Sequence, residues 1–372
     1  MLNEPYIRYL GRVLKEKDSD LFNIDWSLSG FEVEFTGAVL TMTFAADAGI
    51  EPTGRFGAGS EPERPLWPMI GIVVDDGDVP AETFMIDGVE KVVAFDAGET
   101  GRHRVQVVKM TENVKCGLAL KEIACDGEFL EVSGPVRPVC EIIGDSMTCG
   151  FGNTAPSPVR AFYAEEENAW MAYGALAARA LGMQPQIVAT SGMCLRMTEW
   201  NGRPYSAFDL YEYTDRPRQD RIFEICPDSN MTKLPGGLPE TKADKWDFAQ
   251  HPVDTIIINL GTNDADGCNY YDDPDRMAGL FGQDYIEFLH KVRSLNGPDT
   301  KILCVLGDMR YFLWENLRQA VAQYIDRYAD ENVHLLKLHG IRPGEQRGAG
   351  GHPSVATDQR MAEQIVSFLR NT

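Results

Sequence analysis

The chain is short of positive charge and has no long apolar run, no paired cysteines and no leader pattern. Lys plus Arg number 35 against 56 Asp plus Glu, a formal net charge of −21. Such a surface repels phosphate backbones and anionic lipid, which excludes nucleic acid and a basic membrane patch as partners and favours a neutral substrate. No stretch reaches the roughly 18 apolar residues that a bilayer span needs. The opening MLNEPYIRYLGRVLKEKDSD has no apolar run behind basic residues, so no signal peptide is read and a cytoplasmic protein is expected. Cys116, Cys125, Cys140, Cys149, Cys194, Cys226, Cys268 and Cys304 contain no C-x-x-C pair. Neither a zinc ribbon nor a disulfide framework follows, and reduced, mostly buried thiols are expected. The sequon Asn230-Met231-Thr232 is of a kind that mostly arises by accident.

What is present suffices for a large core: 44% of the 372 residues are hydrophobic and 24% charged. At about 100 to 200 residues per domain, that length predicts two domains. From about 30 to 133 the pattern is strand-like, with alternation in FEVEFTGAVLTMTF (31–44), KVVAF (91–95) and RHRVQVVKM (102–110), and without good helix candidates. A β-sandwich or jelly roll is expected over residues 1–137, with SGPVRP (133–138) as the linker. Residues 138–372 change rhythm. The runs VCEII (139–143), QIVAT (186–190), DTIIINL (254–260) and KILCVL (301–306) read as buried parallel strands. Helices are expected over 167–181, 283–295, 315–329 and 358–370, giving an α/β domain. The Pro-rich segment 196–250 lacks periodicity and reads as a lid or binding insertion.

In a parallel sheet the ligand crevice lies beyond the carboxyl ends of the strands. Three motifs fall there. Gly144-Asp145-Ser146 follows the first strand, and a serine so placed is a nucleophile if a base takes its proton and amides receive the oxyanion. Gly261-Thr262-Asn263-Asp264 follows the most hydrophobic strand, where Asn263 suits an oxyanion donor and Asp264 a cap or brace. Taken singly, both are ordinary turn chemistry. GAGGHPS (348–354) places His352 in a Gly-rich loop before the last helix, with Ser354 as its cap. His103, His251, His290, His334 and His339 have blander surroundings and read as structural.

Occurring together in this order, these motifs resemble the blocks of the SGNH (GDSL-like) hydrolases, with Ser191-Gly192 after QIVAT as the glycine block. The N-terminal β-region, the GRHRVQVVKMTE stretch, the join into EIIGDSMTCGFG and KWDFAQHPVDTIIINLGTND are together similar to carbohydrate esterase family 2. That resemblance implies a jelly-roll domain fused to an SGNH domain, and a serine carboxylic ester hydrolase that removes O-acetyl groups from mannan, glucomannan or xylan oligosaccharides. It implies no metal and no organic cofactor. It further implies Ser146 as nucleophile, His352 as base, and an oxyanion hole from the backbone N–H groups of Ser146 and Gly192 and the Asn263 amide.

Two positions depart from the family pattern. The Asp usual three residues before the histidine is Ala349 here, so a Ser/His dyad is expected, oriented by the carbonyl of Ala349 or Gly350. Cys194 stands where the family tends to carry a second glycine. Tyr311 and Trp314, in GDMRYFLWEN, are candidates for stacking against a sugar ring, with Tyr205, Tyr211 and Tyr213 weaker ones; packing beneath the following helix is an equal alternative for the first pair. Two other functions compete. One is an SGNH lipase or thioesterase acting on longer acyl chains. The other is a glycan-binding protein with a degenerate catalytic half, Ala349 being its first sign. Oligomeric state, homo-oligomer or monomer, is left open by the sequence.

Overall fold

The computed structural model describes residues 5–52, 63–159, 163–196, 205–221 and 240–372. Cys226, the sequon at 230–232 and parts of the 196–250 insertion lie outside these residues.

The first half is an antiparallel sheet system built on two long strands, Gly30–Asp47 and Glu90–Lys109, which pair along most of their length. The two sequence runs expected at 91–95 and 102–110 therefore belong to one strand. Along Gly30–Asp47 the buried apolar side chains are Phe31, Val33 and Phe35, then Leu40, Met42, Phe44 and Ala46. The parity switches because the ladder slips between Gly37 and Val39, and an extra residue in a strand turns every later side chain over. Gly37 has φ of 130°, and Asp126 accepts from the N–H groups of Ala38 and Val39 at 2.9 and 3.0 Å, so the bulge is pinned by a side chain. Beyond the slip the free edge changes partner, from Arg8–Leu10 and Phe129–Leu130 to Gly117–Cys125. Sharing its long strands in this way lets the layer fold over one apolar core that also takes Ile70, Ile72, Val105, Val107, Leu118 and Leu120.

After Pro138 a five-stranded parallel sheet begins. Its order is Gln184–Ala189, Val139–Gly144, Thr255–Asn259, Lys301–Gly307 and Val333–Leu338. The fifth strand contains His334. The first four are buried on both faces, as near-continuous apolar runs require. Helices at Tyr173–Ala180, Pro274–Asn296, Trp314–Tyr328 and Val355–Leu369 cover them.

Two helix expectations need correction. The helix Pro274–Asn296 starts well before 283 because Asp273 caps it, accepting from Arg276 N–H, with Pro274 at its first position. The helix expected from 167 starts only at Tyr173. The preceding residues form a short 3-10 turn at Ala169–Met171, and Ala172 is extended. Asn168 N–H is drawn onto the Gly150 carbonyl at 3.2 Å, away from a helical ladder.

The two halves share their cores. Leu10, Leu28, Val73, Val108 and Met110 from the β-region pack with Ile142, Tyr173 and Ile187 of the α/β region. Arg12, whose side chain is fully buried, donates to the carbonyls of Tyr211 and Tyr213 at 2.6 and 2.8 Å and meets Glu141 at 3.0 Å. Removing one partner of a buried ion pair strands the other charge. Arg12→Met is expected to destabilise the protein by about 3 to 5 kcal/mol. Denaturant unfolding followed by tryptophan fluorescence checks this, and a loss confined to one of two separate transitions would contradict the shared core.

Candidate active site

Strand Val139–Gly144 runs directly into a single helical turn, Ser146–Cys149. The bend needs Gly144, where an added Cβ would fall 2.0 Å from Thr148 Oγ1. Asp145 caps the turn, its side chain accepting from Met147 N–H at 3.0 Å. Ser146 is therefore the first helical residue, and its N–H has no intrahelical acceptor. Gly150, with φ of 75°, ends the turn.

His352 reaches Ser146 because two glycine-rich turns dock on each other. Ala349 N–H donates to the Gly152 carbonyl at 3.0 Å, and Val355 N–H to that of Asn153 at 3.1 Å. Gly152 has φ of 53°, and a Cβ there would meet Ala349 Cβ at 2.4 Å, so the approach requires glycine. The Asp358 carboxylate, on the last helix, accepts from Asn153 Nδ2 at 3.1 Å and Tyr173 N–H at 3.2 Å, closing the same junction. Ser354 occupies the cap position of that helix, but its hydroxyl faces Thr357 Oγ1 at 3.4 Å instead of capping a backbone amide.

The outcome is a Ser146 Oγ to His352 Nε2 distance of 2.8 Å. On the other side of the ring, Nδ1 lies 2.9 Å from the Ala349 carbonyl. A carbonyl only accepts, so the proton sits on Nδ1 and the Nε2 lone pair faces the serine hydroxyl. Phe151 covers the imidazole, with ring centroids 4.4 Å apart. Burial, with the nearby Lys115 ammonium, pushes the His352 pKa down to about 4, against the lifting effect of the Ala349 bond.

The glycine block forms the facing loop. Gly192 has φ of 78°, a region open to glycine. Glu112 accepts from Ser191 N–H, from Ser191 Oγ at 2.6 Å and from Thr190 Oγ1 at 3.1 Å. Asp264 accepts from Leu195 N–H at 3.0 and 2.9 Å, so the brace expected of it holds this loop. Between them, Asn263 Nδ2 donates to Asp145 at 3.1 Å and to the Met193 carbonyl at 3.2 Å. Those two acceptors fix the amide beside the Ser146 turn. Service as an oxyanion donor then requires one of its hydrogens to be shared with the incoming oxygen. Burial, with Asp264 and Glu112 nearby, pushes Asp145 up to about 7.

The structure thus brings Ser146, His352, Gly192 and Asn263 to one end of the sheet. It does not join the aromatic candidates to them. The Tyr311 hydroxyl donates to the Leu338 carbonyl at 2.6 Å, Trp314 packs against the core, and Lys337 Nζ lies over both rings. Among the described residues no hydrogen bond or ring contact links either one to Ser146 or His352. Tyr205 and Tyr211 are buried in the core, and Tyr211 donates to Glu141 at 2.8 Å, so neither can offer a face to a sugar. Arg216 lies over the ring of Tyr213.

Glu112, Lys115 and Phe151 were missed. The first two lie in the β-region, within KMTENVK, where a polar run directly behind the apolar VQVV was the available signal. Glu112, Cys149 and Glu167 hold donor atoms within 4.8 Å of one another, a grouping that could surround a cation. Lys115 Nζ, 2.7 Å from Glu112, already places a positive charge there. Burial pushes Glu167 up to about 8 and the Cys149 thiol well up, so both stay neutral near pH 7.

Fold and site together define a class: a hydrolase with a strand-end serine on a parallel sheet, joined to an antiparallel β-domain. Residues 142–360 match the model of the GDSL-like Lipase/Acylhydrolase family. The chain is 30% identical over 317 residues to an acetylxylan esterase / glucomannan deacetylase of Cellvibrio japonicus, covering 81% of this chain and 75% of that one. It is 27% identical to the cellulase/esterase CelE of Acetivibrio thermocellus over 99% of its own length, and spans 40% of that longer protein. A solved family two carbohydrate esterase from Clostridium thermocellum, in complex with cellohexaose, superimposes with a TM-score of 0.77 at 25% identity over 98% of both chains. The chain belongs to the GDSL-like lipase/acylhydrolase family, in the branch of the family 2 carbohydrate esterases.

Because the folded protein holds His352 neutral while an unfolded chain protonates it near pH 6.5, this group costs no stability above that pH. Its cost to the fold grows as pH falls from 6.5 towards about 4. NMR titration of the imidazole should accordingly give a midpoint near 4; a midpoint at 6.5 or above would contradict the neutral ring.

Proposed function

We propose that the chain is a carbohydrate O-acetyl esterase that removes acetyl groups from mannan-, glucomannan- or xylan-type oligosaccharides through a Ser146/His352 dyad and an acetyl-enzyme. The observation that carries this reading is the Ser146–His352–Ala349 hydrogen-bond chain, in a protein whose relatives are acetylxylan esterases and glucomannan deacetylases.

In this mechanism Ser146 Oγ attacks the acetyl carbonyl carbon while its proton passes to His352 Nε2. The tetrahedral oxyanion is received by the N–H groups of Ser146 and Gly192 and the amide of Asn263. Collapse expels the sugar hydroxyl, which takes the proton from His352. Water, deprotonated by the same nitrogen, then releases acetate. In triad enzymes, disturbing the orienting carboxylate costs about 10,000-fold because the imidazole then holds the wrong tautomer. Here the Ala349 carbonyl enforces the right one, so the missing Asp removes the charge that would steady the imidazolium and leaves the proton in place. That geometry favours an active dyad over a degenerate glycan-binding protein. Residues 138–372 would carry the chemistry as one domain, and residues 1–137 the β-domain.

Acetate release from acetylated manno-, gluco- and xylo-oligosaccharides, followed by mass spectrometry, tests the substrate class. Ser146→Ala should abolish it, and activity left intact would refute the dyad. Asn263→Ala should lower kcat on the order of 100- to 1,000-fold with the fold intact by circular dichroism. For a long-chain lipase the ratio of p-nitrophenyl octanoate to acetate hydrolysis would exceed one; an acetyl esterase gives the reverse. Since His352 must be neutral to act as base, the acid limb of kcat/KM should lie well below pH 6.5, towards about 4.

A further inference from the structure

Glu112 belongs to a different domain from Ser146, His352, Gly192 and Asn263, yet it lies directly behind the glycine block. It sits in the turn between strands Glu90–Lys109 and Gly117–Cys125. That turn is itself nailed down: the buried Lys109 ammonium donates to the carbonyls of Asp25, Glu112 and Cys116 at 2.6, 3.0 and 2.8 Å. The Glu112 carboxyl is wholly buried. Burial alone would raise its pKa, but Lys115 and the Ser191 bonds outweigh this and hold it down at about 2. It is therefore a fixed anion and has no proton to give.

Besides the Lys115 ammonium at 2.7 Å, it accepts from the residues just before Gly192: Thr190 Oγ1, Ser191 N–H and Ser191 Oγ. Strand Gln184–Ala189 has ended by then, so no sheet ladder orients these groups. Gly192 N–H lies in the peptide plane that begins at Ser191, and glycine gives that plane more freedom than any other residue would. From the same turn, Lys115 Nζ stands 4.1 Å from the ring centre of Phe151, the ring that covers His352.

We infer that Glu112 is a positioning residue for acyl transfer, acting through Ser191 to hold the Gly192 N–H in register with Ser146. The β-domain on this view completes the active site and is more than an attached module. The inference rests on the reading of the site as a Ser/His esterase. An oxyanion donor displaced by about 1 Å can cost on the order of 100-fold, so a carboxylate that never touches substrate can still govern kcat.

The test uses the full chain, with p-nitrophenyl acetate as substrate and the variants Glu112→Gln, Ser191→Ala, their double and Ser146→Ala. Glu112→Gln should lower kcat about 10- to 100-fold with KM little changed, in protein that remains folded at the assay temperature. Ser191→Ala keeps the backbone bond, so its loss should be smaller, and the double variant should lose less than the product of the single losses. A folded Glu112→Gln enzyme with wild-type kcat, or losses that multiply independently, would overturn the inference. If Glu112→Gln does not fold, Ser191→Ala decides: reduced kcat at constant KM supports the role, and wild-type kcat removes it. Hydrolysis surviving in Ser146→Ala would sink the esterase reading itself. An inactive Ser146→Ala beside a fully active Glu112→Gln removes only the part given to Glu112.

Discussion

A carboxyl group taken out of water must be given hydrogen-bond partners, and that requirement organises this protein. Glu112, Asp145, Asp264 and Asp358 are buried around Ser146 and His352. Each finds its donors on loops or turn ends that no ladder satisfies: Ser191 for Glu112, Met147 for Asp145, Leu195 for Asp264, Tyr173 and Asn153 for Asp358. Residues 206 positions apart are thereby brought into hydrogen-bond reach. Part of the chain's acidity is interior, and its work there is mechanical.

The same chemistry sets the state of the site. Negative groups near Asp145 and burial together keep its proton bound to higher pH, while a lysine beside Glu112 does the opposite. His352 experiences both, but desolvation dominates and leaves a neutral ring at ordinary pH. In the proposed mechanism such a ring does not have to be deprotonated before it acts as base.

Much of this was legible in the sequence, because strands buried on both faces announce themselves as apolar runs and the chemistry sits at their ends. Gly144-Asp145-Ser146 and Asn263 were readable for that reason, and His352 from its Gly-rich loop before the last helix. The carbonyl that holds His352 was readable only by subtraction, from Ala349 standing where an acid is usual. Glu112 was not readable, since its partner lies 79 residues away in the other half of the chain and no local pattern encodes a hydrogen bond of that range. For Tyr205 and Tyr211 the reason is related: sequence shows a ring, but not that its face is spent on the core. The strand Glu90–Lys109 was read as two runs because its apolar alternation lapses across DAGETG (96–101), opposite the slip near Gly37.

The Ala349 carbonyl has one more consequence. A side-chain acid can be lost in a single codon change, whereas a peptide oxygen persists through every substitution that preserves the local dihedral angles. Position 349 is therefore restrained by steric fit against Gly152 and the neighbouring apolar residues, since the proposed dyad asks nothing of its side chain. The orienting group is robust to mutation but has no adjustable charge, so any change in the basicity of His352 has to come from its surroundings, and Lys115 and Glu112 are the ones within reach.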